Sequence, residues 1–190
     1  MITLGIDPGV SETGWAVLNE TETLPLKLIA SGLIRTFPAQ ALPERLVYIH
    51  NEVKRVIKEH APDAVAIEEM FFLKAAHTVR ATLQARGVIL LAAALAEKPL
   101  KEYNPRTVKL TLTGSGTAIK SQMQWAVQRA LGLKETLHPA DVADAAAIAL
   151  CHLKSNRHSR LKVVEKLGNS NNIRINKENL NAASYRHASS

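Results

Sequence analysis

At 190 residues and 46% hydrophobic, the chain has enough apolar material for one globular domain with a real core, which excludes a wholly disordered protein. A formal charge of +7 favours a polyanionic partner, and the single cysteine, Cys151, excludes an intrachain disulfide or a zinc framework. The N-terminus offers too short an apolar stretch before Asp7 and no basic leader, and the run Gly87 to Ala96 is well short of the roughly 20 residues of a membrane span. A soluble, cytoplasmic protein with no membrane attachment is expected.

Ile2 to Ile6 and Gly14 to Asn19 read as strands joined by the turn Asp7-Pro8-Gly9-Val10-Ser11-Glu12-Thr13, and Leu26 to Thr36 supplies a third strand of an antiparallel meander. Leu42 to His60 has apolar residues at 42, 46, 49, 53, 56 and 57, the period of a helix, and Pro62-Asp63 breaks it before the short strand Ala64 to Ile67. Ala75 to Ala96 is a long Ala/Leu-rich helix. Beyond Pro99 come a brief strand, Leu100 to Tyr103, and three helices, Pro105 to Leu112, Ala118 to Leu131 and Pro139 to Leu153. The fold class is therefore α/β, a mixed five-stranded sheet flanked by helices. Residues 1–154 form the folded domain. From residue 155 to 190 the composition turns to Asn and Ser with seven Lys or Arg against two acids, which reads as a basic, flexible tail.

Four acids stand where apolar elements begin or end. Asp7 closes the first strand beside a Pro-Gly turn, Glu68 ends the strand Ala64 to Ile67, and Asp141 and Asp144 share one face of the last helix. Taken singly, each has an ordinary explanation: Asp7 as a turn-former, Glu68 as a strand surfacing into solvent, and the aspartates as companions of a helix dipole. Those explanations leave out Ala145-Ala146-Ala147-Ile148-Ala149-Leu150, small residues that would let this helix lie close on the sheet and bring both aspartates to its edge. Four converging carboxylates make an oxygen-rich cage for Mg²⁺. Two such ions about 4 Å apart are the equipment of a phosphodiester hydrolase.

Other residues suit a nucleic-acid partner. Phe71 and Phe72 follow Glu68 in a chain with only 4% aromatic residues, as a wedge or stacking platform or as a core lid, with Phe71 the better candidate for stacking. Lys109 and Lys120 flank Gly114-Ser115-Gly116, a loop opening into a helix near Thr117 whose amides could seat a phosphate. Gly87 costs its helix about 1 kcal/mol relative to Ala, so a close helix contact is expected there. His138 and Cys151 read as a surface histidine and a small core residue.

Taken together, Gly5-Ile6-Asp7-Pro8-Gly9, Ala66-Ile67-Glu68-Glu69-Met70-Phe71, Gln84-Ala85-Arg86-Gly87, Val108-Lys109 with Gly114 through Gln122, and Ala140-Asp141 with Asp144-Ala145 closely resemble the RuvC family of Holliday-junction resolvases. The match in order and spacing runs from residue 1 to about 154. The resemblance implies a ribonuclease-H-like fold, a homodimer, and paired symmetric nicks across a four-way DNA junction that leave 5′-phosphate and 3′-hydroxyl ends. It implies two Mg²⁺ per site, with Mn²⁺ able to substitute, held by Asp7, Glu68, Asp141 and Asp144. It implies DNA contacts from Lys109 and Lys120 near the scissile phosphate and from Phe71 at the crossover. Phe72, Lys74 and Ser115 are taken as further DNA-binding positions, with Phe72 not carried over from the family. A branch-migration motor, RuvA and RuvB, is the implied protein partner. The alternatives are a non-catalytic junction-binding protein of the same fold and, on Gly5 to Gly9 alone, an actin-like nucleotide hydrolase, for which 190 residues are too few.

Overall fold

A computed structural model describes residues 1–20, 26–69 and 77–157. The chain divides into two units, Met1–Lys154 and Ser155–Ser190; of the second, residues 155–157 are described and helical. The elements in order are β1 (Ile2–Asp7), β2 (Glu12–Asn19), β3 (Lys27–Arg35), α1 (Leu42–His60), β4 (Ala64–Glu68), α2 (His77–Leu95), β5 (Leu100–Tyr103), α3 (Pro105–Thr113) and α4 (Lys120–Leu131). A last helix, α5, occupies 140–157.

The five strands form one mixed sheet in the order β3-β2-β1-β4-β5. The first three pair antiparallel as a meander, while β4 and β5 add in parallel on the other side of β1. Period-two alternation sends side chains to opposite faces, and helices cover both. Leu4, Ile6, Val65 and Ile67 pack with Ile49 and Val53 of α1 and Ile89 of α2. On the other face Ala16, Leu18 and Ala66 pack with Val108, Met123, Val127 and the apolar side of α5.

The face under α5 is built for close approach. Gly5 is paired with Ala16 on one side and Ala66 on the other, so three adjacent strands present almost no side chain there. A Cβ on Gly5 would stand 2.1 Å from the Ala145 carbonyl oxygen and 2.8 Å from the Ala149 Cβ. The run Ala145 to Leu150 thus does what its small residues suggest, and the matching glycine and alanines of the sheet complete the fit.

Helix limits follow local chemistry. Asn104 caps α3 by accepting the Arg106 backbone N–H at 2.8 Å, and Gly114, at φ 78°, ends it in the left-handed conformation. α4 begins at Lys120, two residues later than the pattern from Ala118 predicts. Ile119 is extended, with its N–H donating to the Gln122 side chain at 3.0 Å, and hydroxyls of Thr113, Ser115 and Thr117 satisfy the preceding loop. Among the described residues no helix packs on Gly87: the residue is exposed and a Cβ would meet no described atom within 4 Å. Cys151 is buried, as expected, and His138 is exposed.

Candidate active site

β1 and β4 run side by side with Ile6 opposite Ile67, so the residues that follow, Asp7 and Glu68, leave the sheet at neighbouring strand ends. Alternation puts both on the face of Gly5 and Ala66, the face that α5 covers. Asp7 is paired with Gly14 across β1 and β2, and a Cβ on Gly14 would fall 2.0 Å from the Asp141 carbonyl oxygen. The start of α5 is therefore pressed onto the strand beside Asp7, and Asp144, one turn on, faces the same opening.

Asp7, Glu68 and Asp144 line a cleft of about 300 Å³ together with Lys109 of α3 and Lys120 of α4. Val108, Met123 and Ile148 give it an apolar wall. Asp141 lies outside that lining, yet its charge is felt by both Asp7 and Asp144. Burial pushes the Asp7 carboxyl up to about 7, helped by the negative charges of Glu68, Asp144 and Asp141 and opposed by Lys120. Glu68 is raised by burial and by Asp144, with Lys109 opposing. Asp144 is also raised, by burial and then by Asp141, although Lys120 works against the rise through charge and a hydrogen bond, the two atoms standing 3.5 Å apart.

Among the described residues no three His, Cys, Asp or Glu side chains stand close enough to make a ready-formed metal cage. Asp7, Glu68 and Asp144 share one cleft without forming a ready-made cage. Their chemistry nonetheless fits a hard divalent cation: the cleft offers anionic oxygen, no imidazole or thiolate, and a charge repulsion that a cation would relieve.

Two arginines hold the strand ends and were not foreseen as supports. Arg45, buried on α1, donates to the Thr36 hydroxyl at 2.8 Å and the Ser11 hydroxyl at 2.9 Å, and Thr36 in turn donates to the Val10 carbonyl. The turn leaving Asp7 is thereby tied to α1. Arg45 sits between Leu42 and Ile49 on the apolar stripe of that helix, where a cation is out of place unless it is bonded; that was the available signal. Arg86 of α2 pairs with Glu102 on β5 and reaches the Glu68 carbonyl at 3.5 Å, bracing the end of β4.

The remaining sequence-based candidates divide. Ser115 does not join the cleft; its hydroxyl meets that of Thr117 at 3.1 Å, and it lines a separate cavity between α3 and α4. Phe71, Phe72 and Lys74 lie outside the described residues, as does the chain from 158 onward. Among the described residues no helix is long and apolar enough to cross a membrane.

A family model described as "Crossover junction endodeoxyribonuclease RuvC" matches residues 3–152. A protein of that description from Endomicrobium trichonymphae is 46% identical over 155 residues, 82% of this chain and 82% of that protein. Of solved structures, Thermus thermophilus RuvC superposes with a TM-score of 0.77 at 36% identity, covering 84% of this chain and 97% of that one. T. thermophilus RuvC in complex with Holliday junction substrate gives 0.76 at 34% identity, covering 83% and 96%. The expected ribonuclease-H-like fold is thereby borne out.

Proposed function

This chain belongs to the RuvC family of crossover junction endodeoxyribonucleases, a family of divalent-metal nucleases, and we propose that it resolves four-way DNA junctions by paired symmetric nicks. The observation that carries the reading is the gathering of Asp7, Glu68 and Asp144, with the charge of Asp141 close by, in one cleft with Lys109 and Lys120.

Asp7, Glu68, Asp141 and Asp144 would hold two Mg²⁺, with Mn²⁺ able to substitute. Bound there, the ions supply activation of a water on one side of the phosphodiester and charge relief at the departing oxygen on the other. The protein's own groups do the rest. Lys109 and Lys120 draw a phosphate into the cleft and hold it by charge-assisted hydrogen bonds. The apolar wall keeps bulk water from competing, which strengthens each of those attractions. Without a cation Asp7 stands near half-protonation at neutral pH, so its readiness to ionise depends on what shares the cleft. Departure of the 3′ oxygen leaves a 5′-phosphate and a 3′-hydroxyl.

Phe71 is assigned to the crossover itself, where an unpaired base offers a face for stacking, and Phe72 and Lys74 are further DNA-binding positions. A twofold-symmetric junction calls for two identical sites, and a homodimer supplies them. The same reading makes RuvA and RuvB the motor partners and the cytoplasm the place of action.

The test is a synthetic four-way junction incubated with and without Mg²⁺, beside linear duplex of the same sequence. Symmetric nicks in the junction alone, lost in Asp7→Asn while binding persists, are expected. Folded protein that binds the junction but nicks it under no divalent-ion condition would leave the non-catalytic alternative in its place.

A further inference from the structure

From Asn104 to Lys134 the chain carries Arg106, Lys109, Lys120, Arg129 and Lys134 and no acidic residue. Lys109 and Lys120 enter the carboxylate cleft, but the other three do not. On α4 the cleft takes Lys120 and Met123, whereas Gln122, Trp125, Ala126 and Arg129 form a different stripe, at the three- and four-residue spacing of one helix face. Gln122, Trp125 and Ala126 of this stripe line a cavity of about 230 Å³ that shares no residue with the cleft and is bounded on its other side by Leu112, Thr113 and Ser115, while Arg129 joins it through its contact with Trp125.

Trp125 is the notable member. It is 59% exposed, and the Arg129 guanidinium lies over its ring, 5.3 Å from the centroid. A large aromatic surface in water beside a small cavity, with a cation stacked on it and hydroxyl and amide groups at the rim, has the parts needed to hold a nucleotide: a platform for an apolar face and donors for a phosphate. Loop 113–116 connects the helices that carry Lys109 and Lys120 into the cleft, and Thr113 and Ser115 of that loop line this cavity.

We propose that the Trp125 cavity is a second DNA contact, seating the sugar-phosphate backbone of one junction strand beyond the site of cleavage. Deoxyribose packs on the Trp125 indole, and Arg129, with the Ser115 hydroxyl and the Gln122 amide, binds the adjoining phosphate. The proposal rests on the reading that the chain binds four-way DNA. The absence of any acid from Asn104 to Lys134 favours a polyanion over a protein partner, and the contact lengthens the footprint without reading bases.

The chain has two tryptophans, and the half-buried Trp15 is the other. Emission of the full-length protein minus that of Trp125→Phe therefore reports Trp125 alone. In chelator, where no nicking occurs, four-way junction DNA should shield Trp125 from acrylamide. Trp125→Ala should weaken junction binding by about tenfold, and Arg129→Gln should lower the slope of log affinity against log salt by about 0.9. Both positions are exposed, so these variants keep the core intact. If the junction binds with Trp125 still open to quencher and with unchanged affinity in Trp125→Ala, this contact is overturned while the endonuclease reading stands. A wild-type chain that binds no junction at all would overturn both.

Discussion

Gly14 on β2 and Asp141 at the start of α5 meet backbone to backbone, so that a Cβ on Gly14 would stand 2.0 Å from the Asp141 carbonyl oxygen. Neither side is a flexible side-chain end. Gly14 is held in register with Asp7, so an added methyl must push α5 away from the sheet and carry Asp141 with it. Gly14→Ala is expected to lower stability by about 1–3 kcal/mol and to reduce junction nicking at temperatures where the variant is still folded. Thermal unfolding and nicking measured together decide it; a variant as stable and as active as wild type would mean that α5 is not seated as described.

The pH dependence of the cleft is set by Asp7. Its carboxyl is raised from 3.8 to about 7, so between those values the folded chain binds more protons than the unfolded one, and stability falls as pH rises. The favourable contribution is whole at low pH and lost once pH passes about 7. At about 1.4 kcal/mol per pKa unit, the effect amounts to a few kcal/mol. In chelator, Asp7→Asn should therefore unfold at a higher temperature than wild type at pH 8, with the difference shrinking toward pH 4. Added Mg²⁺ should raise the wild-type midpoint much more than that of Asp7→Asn. Equal midpoints at both pH values would show that Asp7 carries no such strain.

The strands, the helices and the convergence of acids were legible because each left a local mark. Leu42–His60 and Leu100–Tyr103 coincide with the predicted elements, since Pro62 and Pro99 punctuate the apolar pattern beside them. The carboxylates were visible as acids at the ends of apolar runs. What escaped depended on three-dimensional partners. Gly5 and Gly14 look like ordinary strand glycines until α5 is laid over them, and Arg45 is one arginine among many until Thr36 and Ser11 are seen beside it. Gly87 misled for the converse reason: a propensity cost implies a contact only if some neighbour needs the space, and no described atom does.

Arg45 offers a test of positioning apart from chemistry. Its guanidinium bonds Thr36 and Ser11, which frame the turn that leaves Asp7, and it does not line the cleft. Arg45→Met keeps the stem and removes the donors, leaving the buried Thr36 hydroxyl oxygen short of a donor at a cost of about 1–3 kcal/mol. Nicking should fall, and Ser11→Ala in the Arg45→Met background should add little, because the two act through one contact. Additive losses from the two changes would show that they act separately.

The segment from 155 to 190 holds seven Lys or Arg against two acids, more than half of the net charge in fewer than a fifth of the residues. If those charges sit near DNA in the complex, each phosphate they neutralise contributes about 0.9 to the slope of log affinity against log salt. A chain ending at Lys154 should bind the four-way junction with a visibly flatter slope and lower affinity at low salt. It should nick at the same rate once the junction is saturating, since Asp7, Glu68, Lys109, Lys120 and Asp144 all precede the truncation. Titrations at three or more salt concentrations give the slope directly. An unchanged slope would show that the basic segment contributes nothing to the contact and that the charge relevant to binding lies wholly within residues 1–154.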